Sequence, residues 1–446
     1  MKVVHIVPGS GGTFYCQNCL RDSLIMPALA RMGLDVTLVP MYLRHFDHET
    51  TLAKDVPVFF GALNVYLQQK TALFRKTPRW LDKILDARGL LELVARKASS
   101  TRAAGLEEMT LSMLRGDTGR QAKELTRLLA WLKTEVKPDI VHLSNALLLG
   151  LAPSIRQELD CRVVCSLQDE DVWVDSMRSE YVDAVWTAMA KNTHAVDMFV
   201  PASRYYSEVM GQRLALPPQK MQVIYMGVPL EAYEYDEHAP DPQAIGYVSR
   251  LAESQGLGVL LDAFMLLKDG GGFDSLRLRA TGGMTGSDAR FMRGLKRRIR
   301  RAGLSASVDF LAGFSRAERA ALMRTVSLIS VPVVKGEAFS LHLLEAMASG
   351  RPVVQPRVGA FAEILEATGG GILYEPRGPH ALAEALDGLL RDPQRAAELS
   401  RAGRQAVKRS FTIENTARQL TDLYDRLDSR AGLRDMEPHQ WTIRLH

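Results

Sequence analysis

Short, wholly apolar runs recur along the chain, separated by longer stretches in which apolar residues return every three or four positions, the pattern of buried strands alternating with amphipathic helices. The first run, Lys2–Pro8, is followed by Gly9-Ser10-Gly11-Gly12. A helical pattern then runs through Leu20, Leu24, Ile25 and Leu29 and stops at Gly33, and Asp35–Pro40 is the next strand. That is a βαβ unit. Asp139–Leu143, Arg162–Leu167 and Met198–Pro201 repeat the strand signature with helical segments between, predicting a parallel, doubly wound sheet.

A second alternation begins at Ala244–Val248 and continues through Leu276–Ala280, Val308–Phe310, Leu328–Val331 and Pro352–Gln355. Between the two, Glu231–Gln243 has the acidic, proline-bearing composition of a linker with little to bury. The predicted division is residues 1–230, a linker at 231–243, a second domain at 244–411, and a C-terminal helix and tail at 412–446 that returns to the first domain. Thr412–Leu427 has the apolar spacing of an amphipathic helix. Leu63–Lys137 exceeds the minimal plan: it is helix-prone and basic, with Trp80, Leu81, Ile84, Leu85, Leu90, Leu91 and Leu93 at helical spacing. It reads as a helical insertion in the first domain.

Length changes the picture little, since 446 residues suit two domains of ordinary size. Hydrophobic residues at 46% and charged residues at 24% exclude a disordered or fibrous chain. No apolar run is long enough to cross a bilayer, and Met1–Pro8 reads as a strand rather than a leader, so a cytoplasmic location is expected. A net charge of +5 is too small to argue for nucleic acid. The run from Arg293 to Arg301 reads as a solvated helix face. For the basic insertion two readings stay open, a helical pair packed on its own domain or peripheral contact with an anionic membrane at its inner face.

Four cysteines do not make a disulfide framework. Cys16 and Cys19 form a C-x-x-C, and with Cys161 and Cys165 they could suggest a four-thiolate zinc site. Topology argues against it: the first pair belongs at a strand-to-helix turn, the second on a later strand. A redox pair at a helix start is the other option. The favoured reading is two small residues opening a helix.

Candidate chemistry concentrates in Glu337-Ala338-Phe339-Ser340-Leu341-His342-Leu343-Leu344-Glu345-Ala346-Met347-Ala348-Ser349-Gly350-Arg351-Pro352-Val353-Val354. It places one glutamate before a helix and a second inside it. Backbone N–H groups of Phe339, Ser340 and Leu341 would open that helix, where its dipole favours phosphate. This stretch resembles the Glu-x7-Glu motif of glycosyltransferase family 4, retaining enzymes of the GT-B fold. That fold has two facing Rossmann-like domains with a cleft between them, and the resemblance spans nearly the whole chain. It implies that Glu337 lies against the transferred sugar and that Glu345 binds the donor's ribose hydroxyls.

Further matches follow in order. Gly246-Tyr247-Val248-Ser249-Arg250-Leu251-Ala252-Glu253-Ser254-Gln255-Gly256 resembles the family's Gly-Arg-Leu-x-x-x-Lys-Gly turn. Arg250 matches the phosphate-binding arginine, while Gln255 stands in the lysine position and Ser249 in that of the glycine. Lys335 is a candidate replacement for the missing cation. Gly282 and Gly283 resemble the family's glycine turn, and Gly313 lies in a stretch whose backbone usually faces the nucleotide base. In the first domain Gly11 and Gly12 resemble the glycine turn after strand one. Gly9–Phe14 lacks the third glycine of a dinucleotide fingerprint, so a nicotinamide enzyme fits poorly. Gln168 replaces a histidine that touches the donor sugar, and Asp169 keeps its place. Ile224–Pro229 departs from the family's Asn-Gly-Val-Asp.

The resemblance implies a metal-independent, retaining transfer from a nucleotide-diphosphate sugar, with no cofactor and with UDP slightly favoured over GDP or ADP. The acceptor is undefined: lipid, saccharide, small molecule or protein. Catalytic roles fall to Glu337, Arg250, Gln168 and Asp169. Donor binding falls to Gly11, Gly12, Arg250, Gln255, Gly282, Gly283, Gly313, Lys335, Phe339, Ser340, Leu341 and Glu345. Gln255, Gln168 and Met226 leave a second reading, a degenerate protein that binds a nucleotide sugar in a regulatory or scaffolding role. An epimerase of the same fold is a third.

Overall fold

A computed structural model describes residues 1–8, 14–41, 59–60, 105–236, 238, 240 and 243–428. The chain divides into two compact units. The first comprises Met1–Gly12, Asn18–Ile224 and Ala417–His446, and the second Thr13–Gln17 and Tyr225–Thr416.

The first unit is built on five parallel strands, β1 (Lys2–Val7), β2 (Asp35–Pro40), β3 (Ile140–Leu143), β4 (Arg162–Leu167) and β5 (Met198–Pro201), in the order β2-β1-β3-β4-β5. Their apolar runs are buried on both faces, which is why they lack the alternation of a half-exposed strand. The order reverses between β1 and β3, and ligands of open α/β sheets bind at such a switch point, beyond the carboxyl ends of the strands. Gly11 and Gly12, which follow β1, lie outside the described residues, as does most of the predicted insertion. Its last part forms helices at Glu107–Leu114 and Ala122–Trp131.

The second unit has six parallel strands, β6 (Ala244–Val248), β7 (Arg277–Thr281), β8 (Val308–Phe310), β9 (Leu328–Ile329), β10 (Val353–Pro356) and β11 (Gly371–Tyr374), in the order β11-β10-β9-β6-β7-β8. Here the switch lies between β6 and β9. The loops leaving those two strands carry Ser249–Gly256 and Ser330–Ser340, so topology alone brings the two strongest motifs together. Tyr233, inside the stretch whose composition suggested a linker with little to bury, is 2% exposed and packs in this unit.

The helix Ile413–Asp428 closes the described chain. From Ala417 onward it belongs to the first unit, where the Tyr424 hydroxyl meets His142 Nδ1 at 2.6 Å.

Candidate active site

In the second unit the loops after β6 and β9 touch directly. The Val334 N–H donates to the Ser254 carbonyl at 3.1 Å, and a Cβ on Gly256 would stand 1.7 Å from the Pro332 carbonyl oxygen. At φ +74° Gly256 is also in the left-handed region that favours glycine. Both reasons fix the residue that ends the turn.

Glu337 is buried beside this contact. Its Oε2 accepts from Ser340 Oγ at 2.7 Å and from Gln17 Nε2 at 3.0 Å, and the Gln255 side chain also bonds it. Burial pushes its carboxyl above the ordinary range, and these three neutral donors pull only partly against that. The two departures from the family pattern are coupled: Ser249 Oγ donates to Gln255 Oε1 at 2.8 Å. That bond orients the amide so that its nitrogen is turned to Glu337. A lysine there would have brought a charge; this pair brings a hydrogen bond.

The helix Leu341–Ala348 begins one residue after Ser340, not at Phe339. The Ser340 side chain accepts no N–H of the helix; its hydroxyl donates to Glu337. The Leu341 N–H is capped instead by Gln17 Oε1 at 2.8 Å. Phe339 is buried with its ring 6.5 Å from that of Tyr225. Glu345, on the buried side of the helix, has no exposed surface. Arg319 pairs with both of its oxygens, Nε at 3.1 and 3.0 Å and Nη2 at 2.5 Å, and the Tyr233 hydroxyl donates at 2.7 Å. Burial opposes the Arg319 charge, yet Glu345 outweighs it and holds the guanidinium protonated. Glu345, expected to bind the donor's ribose hydroxyls, is thus already engaged by Arg319 and Tyr233.

Arg250 is partly exposed. Its Nη2 donates to Ser254 Oγ at 3.3 Å, Nε lies 3.8 Å from Asp288, and the guanidinium stands 5.7 Å from the Phe14 ring centre. Gly282 has φ +139° and Gly283 φ +63°, and a Cβ on Gly282 would sit 1.9 Å from the Ser249 carbonyl. The two turns thus press together. Gly313 accepts from Thr281 Oγ1 at 2.5 Å. Lys335 is exposed, two residues before Glu337.

In the first unit Gln168, at the end of β4, is buried. Its Nε2 donates to the Ser144 carbonyl at 2.6 Å and its Oε1 accepts from Arg21 at 2.8 Å. Arg21 also donates to Ser166 Oγ at 2.5 Å, and that hydroxyl lies 2.8 Å from His142 Nε2. Asp169 is partly exposed and held at φ 57°, a strained conformation for a non-glycine residue. Glu170, next to it, is buried and accepts from the Ala146 and Gln168 N–H groups and from the Tyr206 hydroxyl.

Sequence reasoning missed Arg21, Arg319, Tyr15 and Gln17. Each acts through a partner far away in the chain, and no local pattern marks it. Among the described residues there is no disulfide and no metal-competent cluster of His, Cys, Asp or Glu. Cys161 and Cys165 are buried, which raises the Cys161 thiol to about 12 and Cys165 above its ordinary value. No described helix is long and apolar enough to cross a membrane.

The family model for glycosyl transferases group 1 matches residues 234–406, and that for Glycosyltransferase Family 4 matches residues 106–232. The chain belongs to glycosyltransferase family 4. This family 4 glycosyltransferase is similar to D-inositol 3-phosphate glycosyltransferase of Corynebacterium urealyticum, 32% identical over 200 residues, 45% of this chain and 44% of that protein. It is also similar to glycogen synthase of Mycobacterium tuberculosis, 25% identical over 310 residues, 68% of this chain and 72% of that one. The chain spans about half the length of the first of these. Sucrose-phosphate synthase from Thermosynechococcus elongatus has a TM-score of 0.69 at 18% identity, covering 96% of this chain and 99% of its own. Anabaena HepE, solved in complex with UDP, has a TM-score of 0.66 at 16% identity over 96% of this chain and 100% of its own. At those identities the likeness is one of fold, and the fold is GT-B.

Proposed function

We propose that this family 4 glycosyltransferase moves a sugar from a nucleotide-diphosphate donor to an acceptor hydroxyl with retention of anomeric configuration and without a metal. The observation that carries this reading is the second-unit switch point, where a buried glutamate, a helix N-terminus and Arg250 leave adjoining loops. A carboxylate suits sugar hydroxyls, which donate hydrogen bonds. An N–H at a helix start and a guanidinium suit phosphate oxygens. HepE was solved with UDP, which supports a uridine donor first among the three nucleotides.

In this reading the bond between the anomeric carbon and the phosphate oxygen breaks. The acceptor oxygen bonds that carbon on the same face, and its proton passes to the departing phosphate. Arg250 and the Leu341 N–H stabilise the charge that develops on the diphosphate. Glu337 positions the sugar; Lys335 adds a second cation, Gly282, Gly283 and Gly313 admit the nucleotide, and Glu345 faces the ribose. Gln168 and Asp169 are assigned to contact with the sugar. A second reading, donor binding without turnover, is favoured by one observation: both ends of the Gln168 amide are already bonded to Ser144 and Arg21.

The test is a thermal-shift screen against UDP, GDP and ADP and their common sugar conjugates, repeated with Glu337→Gln and Arg250→Ala. A ligand bound by the folded state raises the melting temperature by mass action. One nucleotide series should do so, less in Arg250→Ala; no response to any series rejects the reading. A product whose anomeric proton coupling shows inversion rejects retention alone.

A further inference from the structure

Three of the groups assigned above to the donor are occupied by Phe14–Gln17, part of the short segment Thr13–Gln17 that belongs to the second unit while the chain before and after that segment belongs to the first. Phe14 forms an antiparallel bridge with Gly283 and lies against Arg250. The Tyr15 N–H donates to the Gly282 carbonyl at 2.6 Å, and the Tyr15 ring stands 5.2 Å from the Arg319 guanidinium that binds Glu345. Its hydroxyl is buried without a partner among the described residues. Gln17 bonds Glu337 with its amide nitrogen and the Leu341 N–H with its amide oxygen.

A backbone N–H has one hydrogen. While Gln17 Oε1 accepts it, a phosphate oxygen cannot do so with good geometry. Glu337 Oε2 already receives two donors, Gln17 and Ser340, which uses its two lone pairs. The amide also matches the donor in polarity. It offers an acceptor where a phosphate oxygen would sit and a donor where a sugar hydroxyl would sit. Phe14 covers the cation, and Tyr15 covers the arginine that engages Glu345.

We propose that Phe14–Gln17 is a built-in competitor of the nucleotide sugar, a strap that occupies the donor's polar contacts and must withdraw before the donor binds. This rests on the nucleotide-sugar reading of the same site. Withdrawal releases Leu341 N–H, one lone pair of Glu337 and the face of Arg250, and takes the Tyr15 ring away from the Arg319–Glu345 pair. Affinity for the donor is therefore lowered by whatever holds the strap down, and weakening the strap raises it.

The experiment is isothermal titration of UDP, GDP and ADP into the full chain and into Gln17→Ala. Gln17→Asn, whose shorter side chain keeps the amide but does not reach both partners, serves where Gln17→Ala fails to fold. The expected result is binding about tenfold tighter in the variant, equivalent to ~1.4 kcal/mol, the order of one or two neutral hydrogen bonds. Equal or weaker binding in both variants overturns the strap and leaves the nucleotide-sugar reading standing. Failure of wild type and variants alike to bind any of the three overturns that reading, and the strap with it.

Discussion

Glu337 sits among neutral donors in a buried setting, so its pH behaviour follows directly. Its folded-state pKa is raised by burial. The folded state therefore holds the proton more tightly than the unfolded chain, and the stability this contributes is present below the ordinary carboxylate range and lost as pH rises through the folded value. Glu337→Gln, which cannot ionise, should gain in melting temperature relative to wild type as pH rises, with the difference shrinking toward pH 4. A pH series of thermal melts on both proteins measures it; a difference independent of pH means that Glu337 is not desolvated. Lys335 is tested apart from folding because its side chain is exposed. Lys335→Ala should weaken nucleoside-diphosphate binding about fivefold, the effect of ~1 kcal/mol from one solvent-screened charge. An unchanged dissociation constant and turnover remove it from the site.

Pairs of elements carry the next set of expectations. Arg319 and Glu345 lie 26 positions apart and bind one another with almost no exposed surface. Arg319→Leu strands a buried carboxylate and should cost about 3–5 kcal/mol in urea unfolding, while Arg319→Leu with Glu345→Leu should recover much of it. If the double variant is no more stable than the single, the pair is not the unit that matters. The turns after β6 and β7 are equally interdependent: Gly282→Ala forces a Cβ onto the Ser249 carbonyl and should cost about 2 kcal/mol or more.

At this scale the sequence was most legible. Strands buried on both faces are read as apolar runs whatever surrounds them, and observed limits such as Ala244–Val248 and Met198–Pro201 match the expected ones. The pairing of Arg319 with Glu345 was not legible, since nothing local to the helix Arg316–Met323 marks a partner 26 positions further along the chain. Gln17 likewise reads as the first residue of a helix and nothing more. Substitutions at Ser249 and Gln255 looked like two separate losses until their hydrogen bond joined them.

For the whole molecule, the path of the chain matters as much as either sheet. The first unit is assembled from three stretches, the last of which begins at Ala417. Leu420, Leu423, Tyr424 and Leu427 are buried, and Tyr424 bonds His142, a histidine whose pKa burial holds well below its ordinary value. Ending the chain at Thr416 removes these four side chains and exposes that histidine. The truncated protein should become sensitive to limited proteolysis within Asn18–Ile224 before it does within Tyr225–Thr416. Equal sensitivity of the two regions contradicts the assignment of the terminal helix to the first unit.

The placement of Phe14–Gln17 also changes how occupancy of the donor site depends on concentration. An inhibitor in solution is weakened by dilution and removed by dialysis, but a tethered one keeps a single effective molarity fixed by the chain on either side of it. The response to donor is then set by the donor's own concentration, unaltered by how much protein is present. Preparations at nanomolar and at micromolar protein should share one half-saturation point, and no amount of washing should sharpen it.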